Sequence, residues 1–282
     1  MNPRTRRMLF VPVIIVVGVY LCICLYLYFF QNRFLYYPTH DIAVTPDQAG
    51  LAYTDQFFDL PNGDKIHGWF VPGDSTGPTV LFLHGNGGNV GHRIEHLHLL
   101  NSLGVSTLII DYRGYGQSSG SPSEANLYAD AEIAYQWLID SKHVTPAKLF
   151  VLGESIGGAV AIDLATKQKI AGLIVESSFT SLREIAQHSF PIVPTGLLLR
   201  SDYNSTAKLP RVTVPILVSH SPDDDIVPYA IGCRLFEAAN PPKQFVQLSG
   251  SHNDRGYLAD SAYVDALRRF FTAPTTISNS RS

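Results

Sequence analysis

The feature that most constrains this chain is the pentapeptide Gly153-Glu154-Ser155-Ile156-Gly157, read together with its flanks. Residues 148–152 (Lys-Leu-Phe-Val-Leu) are apolar and β-prone, and residues 158–165 (Gly-Ala-Val-Ala-Ile-Asp-Leu-Ala) are small and helix-prone. A serine on so tight a strand-to-helix bend needs flanking glycines, because neighbouring side chains would collide across the turn. The bend lifts the Ser155 Oγ out of the sheet, and the helix N-terminus behind it favours negative charge developing there. Ser155 is therefore a candidate nucleophile, with a purely structural turn as the alternative. A bare G-x-S-x-G is weak, but here both flanks agree with it.

Size and composition fix the frame around this turn. At 282 residues the chain can hold one large α/β domain plus an appendage. With 45% hydrophobic and 16% charged residues it is expected to pack a core and not to be disordered. The net charge is −3 and no basic cluster lies in the body of the chain, so nucleic-acid binding has no electrostatic footprint. Cys22 and Cys24 lie in an apolar run and Cys233 is alone in the domain, so no disulfide framework is implied. No CxxC pair and no ligand-spaced Cys/His cluster is present, so the sequence offers no metal site, and no obligate protein partner is evident.

The N-terminus reads as a membrane segment. Leu9 to Phe30 is 22 residues without a charge, about 33 Å as a helix and enough for a bilayer core. Pro12 is expected in its first turn. Tyr26, Tyr28, Phe29, Phe30, Phe34, Tyr36 and Tyr37 suit an interfacial belt at the far end. Arg4, Arg6 and Arg7 precede the span and only Arg33 closely follows it. The positive-inside rule then puts the N-terminus in the cytoplasm and the domain in the periplasm or a lumen. A cleaved signal peptide is the rival reading, but the run is long and lacks an A-x-A-like site.

From Ala52 the chain alternates strands and helices. Residues 56–60 and 65–71, separated by Pro61-Asn62-Gly63-Asp64, predict an antiparallel hairpin. Apolar runs at 79–84, 106–110, 148–152, 171–176, 215–219 and 244–248 predict buried parallel strands with helical crossovers. Ser121-Pro122-Ser123-Glu124 predicts a capping box that opens a helix, with proline at its first position. The expectation is a mostly parallel sheet with helices on both faces and functional groups at the C-terminal strand ends.

A serine nucleophile needs a base, and the base needs an orienting acid. The last strand runs into Ser249-Gly250-Ser251-His252-Asn253-Asp254, which makes His252 the candidate base. The strand before it runs into a loop holding Asp223, Asp224 and Asp225, any of which could be the acid. An oxyanion needs two backbone donors: the Ile156 amide is one, and Asn86, in the glycine-rich stretch His84-Gly85-Asn86-Gly87-Gly88-Asn89, is the other candidate. That stretch could cradle phosphate, but no G-K-[ST] or G-x-G-x-x-G accompanies it. His92, His96 and His98 read as helix-surface or packing residues, since no third metal ligand stands nearby. His84 reads as a loop-ordering residue and His220 as one standing behind the site.

Taken in order, residues 84–89, Asp111-Tyr112-Arg113-Gly114-Tyr115-Gly116 with Ser118 and Gly120, residues 121–124, 153–158, Glu176-Ser177-Ser178-Phe179-Thr180-Ser181 and His252-Asn253-Asp254 carry a family resemblance. The set resembles the Bem-type branch of membrane-anchored α/β-hydrolases, over roughly residues 34–271. The resemblance implies an α/β-hydrolase fold with the order serine, acid, histidine. Asp224, four residues before Pro228, matches the G-x-x-D-x-x-V-P spacing usual in this fold, with Ser221 in the glycine's place. Ser251 likewise stands where glycine often precedes the histidine. The implied activity is hydrolysis of carboxylic esters or thioesters, lipid or acyl-protein among them, with no cofactor. A serine peptidase or a catalytically silent anchored binding domain are the alternatives. The expected organisation is a basic N-terminus (1–8), a membrane anchor (9–30), a linker (31–50), a catalytic domain (51–272) and a disordered tail (273–282). Residues 179–212 would form either a small apolar lid or ordinary packing.

Overall fold

The computed structural model describes residues 3–272, with side chains from Phe10 onward. Helix α1 runs Pro3–Phe30 and projects apolar side chains such as Ile14, Val16 and Leu25 outward. It continues straight through Pro12, which therefore lies in the helix interior and not in its first turn. The stretch Phe10–Phe30 has a mean hydropathy of 2.7, long and apolar enough to cross a membrane. The expected tail, residues 273–282, lies outside the described residues.

Eight strands form one sheet: β1 (Thr54–Asp59), β2 (Lys65–Val71), β3 (Thr79–Leu83), β4 (Ser106–Asp111), β5 (Leu149–Glu154), β6 (Gly172–Glu176), β7 (Ile216–His220) and β8 (Lys243–Gln247). Their spatial order is β8-β7-β6-β5-β3-β4-β2-β1. β1–β2 and β2–β4 are antiparallel and every other pairing is parallel. The hairpin between β1 and β2 closes as its turn residues predict, with the Gly63 amide donating to the Leu60 carbonyl and Gly63 at φ 88°. The central strands β3 to β7 are apolar on both faces because helices cover both.

The two faces are distinct cores. On one, Leu81, Leu83 and Ile110 pack with Leu127 and Ala131 of α3 (Glu124–Asp140), Val160 of α4 (Ile156–Ala165) and Leu235 of the helix Tyr229–Ala238. On the other, Val80, Phe82 and Ile109 pack with Leu97 and Leu100 of α2 (Ile94–Ser102) and Leu267 of the helix Ser261–Thr272.

Helix α3 begins later than the capping box predicts. Its N-cap is Ser123, whose Oγ accepts from the Asn126 amide, so Ser121 and Pro122 stay outside the helix. Glu124 does not reach back to a cap. Its carboxylate accepts from the Asp202 and Tyr203 amides and from the Tyr128 hydroxyl, and so holds the chain that follows β6. Residues 31–50 lie along the domain. Tyr36 and Tyr203 share a buried hydroxyl contact of 2.7 Å, and Tyr37–Pro38 pairs in parallel with Gly87–Gly88.

Candidate active site

The strand order decides which loops meet. β3 and β5 are neighbours, with Leu83 in register with Gly153, so the 84–89 loop rises beside the Ser155 turn. β6, β7 and β8 follow on the same side of β5, which brings the loops after β7 and β8 over the same strand ends. Ligand chemistry at such a reversal of strand order is the rule for open α/β sheets.

Ser155 sits at φ 53° and ψ −118°, a backbone region that side chains rarely occupy. Its amide donates to the Glu176 carbonyl at 2.8 Å, and its own carbonyl accepts from Ser178 Oγ (2.7 Å) and the Gly158 amide (3.0 Å). The glycines are explained by distance. A Cβ on Gly157 would come within 2.0 Å of the Leu83 carbonyl oxygen, and one on Gly153 within 2.3 Å of the Gly157 oxygen.

His252 Nε2 lies 3.0 Å from Ser155 Oγ, and its Nδ1 lies 2.7 Å from Asp224 Oδ2. Asp224 Oδ1 accepts from the Ile226 (3.0 Å) and Val227 (2.7 Å) amides. Burial pushes the Asp224 carboxyl up, but His252 and these two amides outweigh it and hold its pKa below the ordinary carboxylate value. The adjacent aspartates have other contacts. Asp225 Oδ1 accepts from the backbone amide of His252 at 3.0 Å, and the Asp223 amide donates to Ser221 Oγ at 3.1 Å. His220 stands behind Asp224, its Nε2 2.9 Å from the Val227 carbonyl, and burial lowers its pKa.

Asn86 and Ile156 both line the cavity above Ser155. The Tyr115 hydroxyl fixes Asn86 by donating to its carbonyl at 2.8 Å. His84 contacts the Gly85 carbonyl at 2.7 Å through Nδ1, consistent with its ordering this loop. His96 of α2 is buried against Glu176 and Tyr257, whereas His92 lies in the short turn before α2, not in the helix, and closes the cap of Asn89.

Three residues went unnoticed in the sequence. Glu154, inside the pentapeptide, is buried between Arg93 and Arg255, with Arg93 Nε at 2.5 Å from Oε2 and an Arg255 guanidinium nitrogen at 2.6 Å from Oε1. Burial alone would raise the Glu154 pKa, but the two guanidiniums hold it well below the usual range. The clip joins the helix after the 84–89 loop, the serine turn and the histidine loop. Its signal was the charge at position 154 in an otherwise small, apolar turn.

The cavity measures about 600 Å³ and is largely apolar. Phe179, Leu182 and Ile185 line one side, and Leu27, Phe34 and Leu35 from the end of α1 and the turn after it line another. Among the described residues, no group of three or more His, Cys, Asp or Glu side chains is placed to hold a metal ion.

Comparison with known proteins agrees with this architecture. The family model described as serine aminopeptidase, S33, matches residues 74–199, which include Ser155 and end before Asp224 and His252. An uncharacterized protein of Mycobacterium tuberculosis is 39% identical over 245 residues, covering 86% of this chain and 87% of that protein. The uncharacterized protein YfhR of Escherichia coli is 30% identical over 264 residues, 90% of this chain and 89% of its own. A lysophosphatidylserine lipase of Danio rerio, ABHD12, is 32% identical over 253 residues, 73% of this chain and 66% of its own. The Pyrococcus furiosus esterase Pf2001 superposes with a TM-score of 0.71 at 18% identity, over 85% of this chain and 99% of that one, which speaks to the fold. With this strand order, a serine at the central strand-to-helix turn and relatives aligned over most of both chains, the chain belongs to the α/β-hydrolase family of enzymes.

Proposed function

We propose that this protein is a membrane-anchored serine hydrolase that cleaves carboxylic esters or thioesters of an acyl chain. The observation that carries the reading is the continuous contact Ser155–His252–Asp224 opening into an apolar cavity. In the proposed reaction Ser155 Oγ attacks the acyl carbonyl carbon while its proton passes to His252 Nε2. The Asp224 carboxylate accepts the Nδ1–H of His252, which fixes the ring's tautomer and stabilises the imidazolium. The Asn86 and Ile156 amides would hold the oxyanion. The intermediate collapses, and the departing alcohol or thiol takes the proton from His252. Water then attacks the acyl-enzyme, giving its proton to His252, and the fatty acid leaves as Ser155 recovers its own.

The apolar lining favours the acyl side of the substrate. Among the described residues the lining holds a single carboxylate, Glu154, and its commitment to Arg93 and Arg255 disfavours the ammonium group of an aminopeptidase substrate. We further read α1 as a signal anchor with its arginine-bearing end in the cytoplasm and the catalytic domain on the other side.

The test is a panel of acyl esters, acyl thioesters and aminoacyl amides. Turnover of the acyl esters or thioesters that is lost in Ser155→Ala supports the reading. Cleavage of the amides alone would replace it with a peptidase.

A further inference from the structure

The residues that follow α5 (Leu182–Ser189) form a short apolar hairpin lying against the membrane helix. Between Glu184 and Arg200 the sequence has no Asp, Glu, Lys or Arg. Phe190, Ile192 and Leu197 are 61%, 84% and 83% exposed, an apolar patch that water would not favour. Yet the hairpin is docked. The Tyr20 hydroxyl donates to the Ile192 carbonyl at 3.0 Å. The Gln31 side chain donates to the Leu198 carbonyl (3.2 Å) and accepts from the Arg200 amide (2.9 Å). Tyr20, Cys24 and Leu27 fall at i, i+4 and i+7, one stripe of α1, and Gln31 just past its end continues that stripe. Cys24 is buried and Leu27 lines the cavity, whereas Ile15, Leu25, Tyr26 and Phe29 on the opposite side of α1 are exposed.

Depth follows from length. If the bilayer ended where the hairpin tip touches Tyr20, only residues 9–19 would remain inside, about 16 Å of helix. A hydrocarbon core is about 30 Å thick. The charge-free run must therefore reach its far end near Phe30, where the Arg200 guanidinium packs over Tyr28 and Arg33 over Phe30. The hairpin tip then lies below that level, within hydrocarbon. Part of its backbone is already satisfied for such a place. Pro191 and Pro194 have no N–H, the Pro191 carbonyl accepts from the Gln187 side chain, and the Val193 and Thr195 amides donate within the turn.

Resting on the reading of α1 as a membrane span, we propose that residues 190–198 are a second membrane-embedded element, seated in the outer half of the bilayer against α1. Its occupant is lipid hydrocarbon. The cavity wall is shared between this hairpin and α1, so an acyl chain passes to Ser155 sideways from the leaflet without crossing water. The substrate class is a membrane-resident acyl lipid, and short soluble esters bypass the route.

The test uses the full chain in phosphatidylcholine nanodiscs, with its three cysteines replaced by alanine and an environment-sensitive fluorophore on Ile192→Cys, Leu197→Cys or Val16→Cys. Quenching at positions 192 and 197 by acyl-chain spin-labelled lipid, with protection from aqueous iodide, is the expected result. Iodide quenching at 192 and 197 with lipid quenching at 16 would overturn the proposal while leaving the membrane span standing. Protection from both quenchers would mean a protein partner or second copy covers the patch, and also overturns it. Aqueous quenching at 16 would remove the span and the proposal together. Because the cysteine-free background could misfold, the unaltered chain is also photolabelled with a diazirine placed on a lipid acyl chain. Label in the peptide holding residues 190–198 is expected, and label confined to α1 would overturn the proposal.

Discussion

Ser155 holds its backbone at φ 53° against the preference of any side chain, and the neighbours that hold it there are named hydrogen bonds. Such strain is of order 1–3 kcal/mol, so Ser155→Gly should be inactive yet more stable by about 1 kcal/mol in denaturant unfolding. Unchanged or lower stability would mean the turn is relaxed. If Asp224 orients His252, Asp224→Asn should lower kcat by about 10³- to 10⁴-fold with the fold intact, whereas Asp223→Asn should change it little. Residue type left three adjacent aspartates open, and in the sequence only the spacing to Pro228 favoured Asp224. The choice is made by the Ile226 and Val227 amides, which turn one carboxylate toward Nδ1, while Asp225 takes the backbone amide of the same histidine. Away from the site, burial disfavours the His67 imidazolium, but Asp111 and Asp55 outweigh this and raise its pKa above the ordinary value. A raised folded pKa contributes stability in full below about pH 6.5, and that contribution is lost as pH rises through the raised value. The loss of Tm in His67→Gln should therefore be largest near pH 6 and shrink by pH 9; a constant or growing loss would contradict it.

The elements themselves were largely legible, because strand length, glycine turns and apolar runs are local signals. The hairpin of β1 and β2 and the six strands after it fall where periodicity predicts, to within a residue or two. What was not legible depends on distant partners. The box read from Ser121 to Glu124 fails because Glu124 prefers the Asp202 and Tyr203 amides of a segment some eighty residues away, and Ser123 takes the cap. Pro12 looked like a helix-start residue, yet α1 begins at Pro3 and passes through it. The Arg93–Glu154–Arg255 clip joins three elements that sequence cannot place side by side. Removing the charge of Glu154 leaves two guanidiniums near one another with little compensation, so Glu154→Gln should destabilise by about 3–5 kcal/mol in denaturant unfolding. A loss under about 1 kcal/mol would mean that water reaches the arginines and the clip is weak.

At the scale of the whole molecule, the sheet order and helix α1 act together. The sheet gathers the serine, histidine and aspartate loops over one set of strand ends, and the end of α1 closes the cavity above them. The sequence announced an anchor and a hydrolase as separate modules. It did not announce that Leu27 of α1 and Gln31 just past its end line the cavity, because that contact belongs to neither periodicity nor motif. The proposed function stands or falls on Ser155 being an activated nucleophile that serves an acyl cavity. The most direct measurement is fluorophosphonate labelling of the full chain in nanodiscs, beside Ser155→Ala, followed by hydrolysis of p-nitrophenyl esters from acetate to palmitate. Labelling should vanish in the variant, and kcat/KM should rise with acyl length. An unlabelled wild type that turns over no ester would contradict the proposed function.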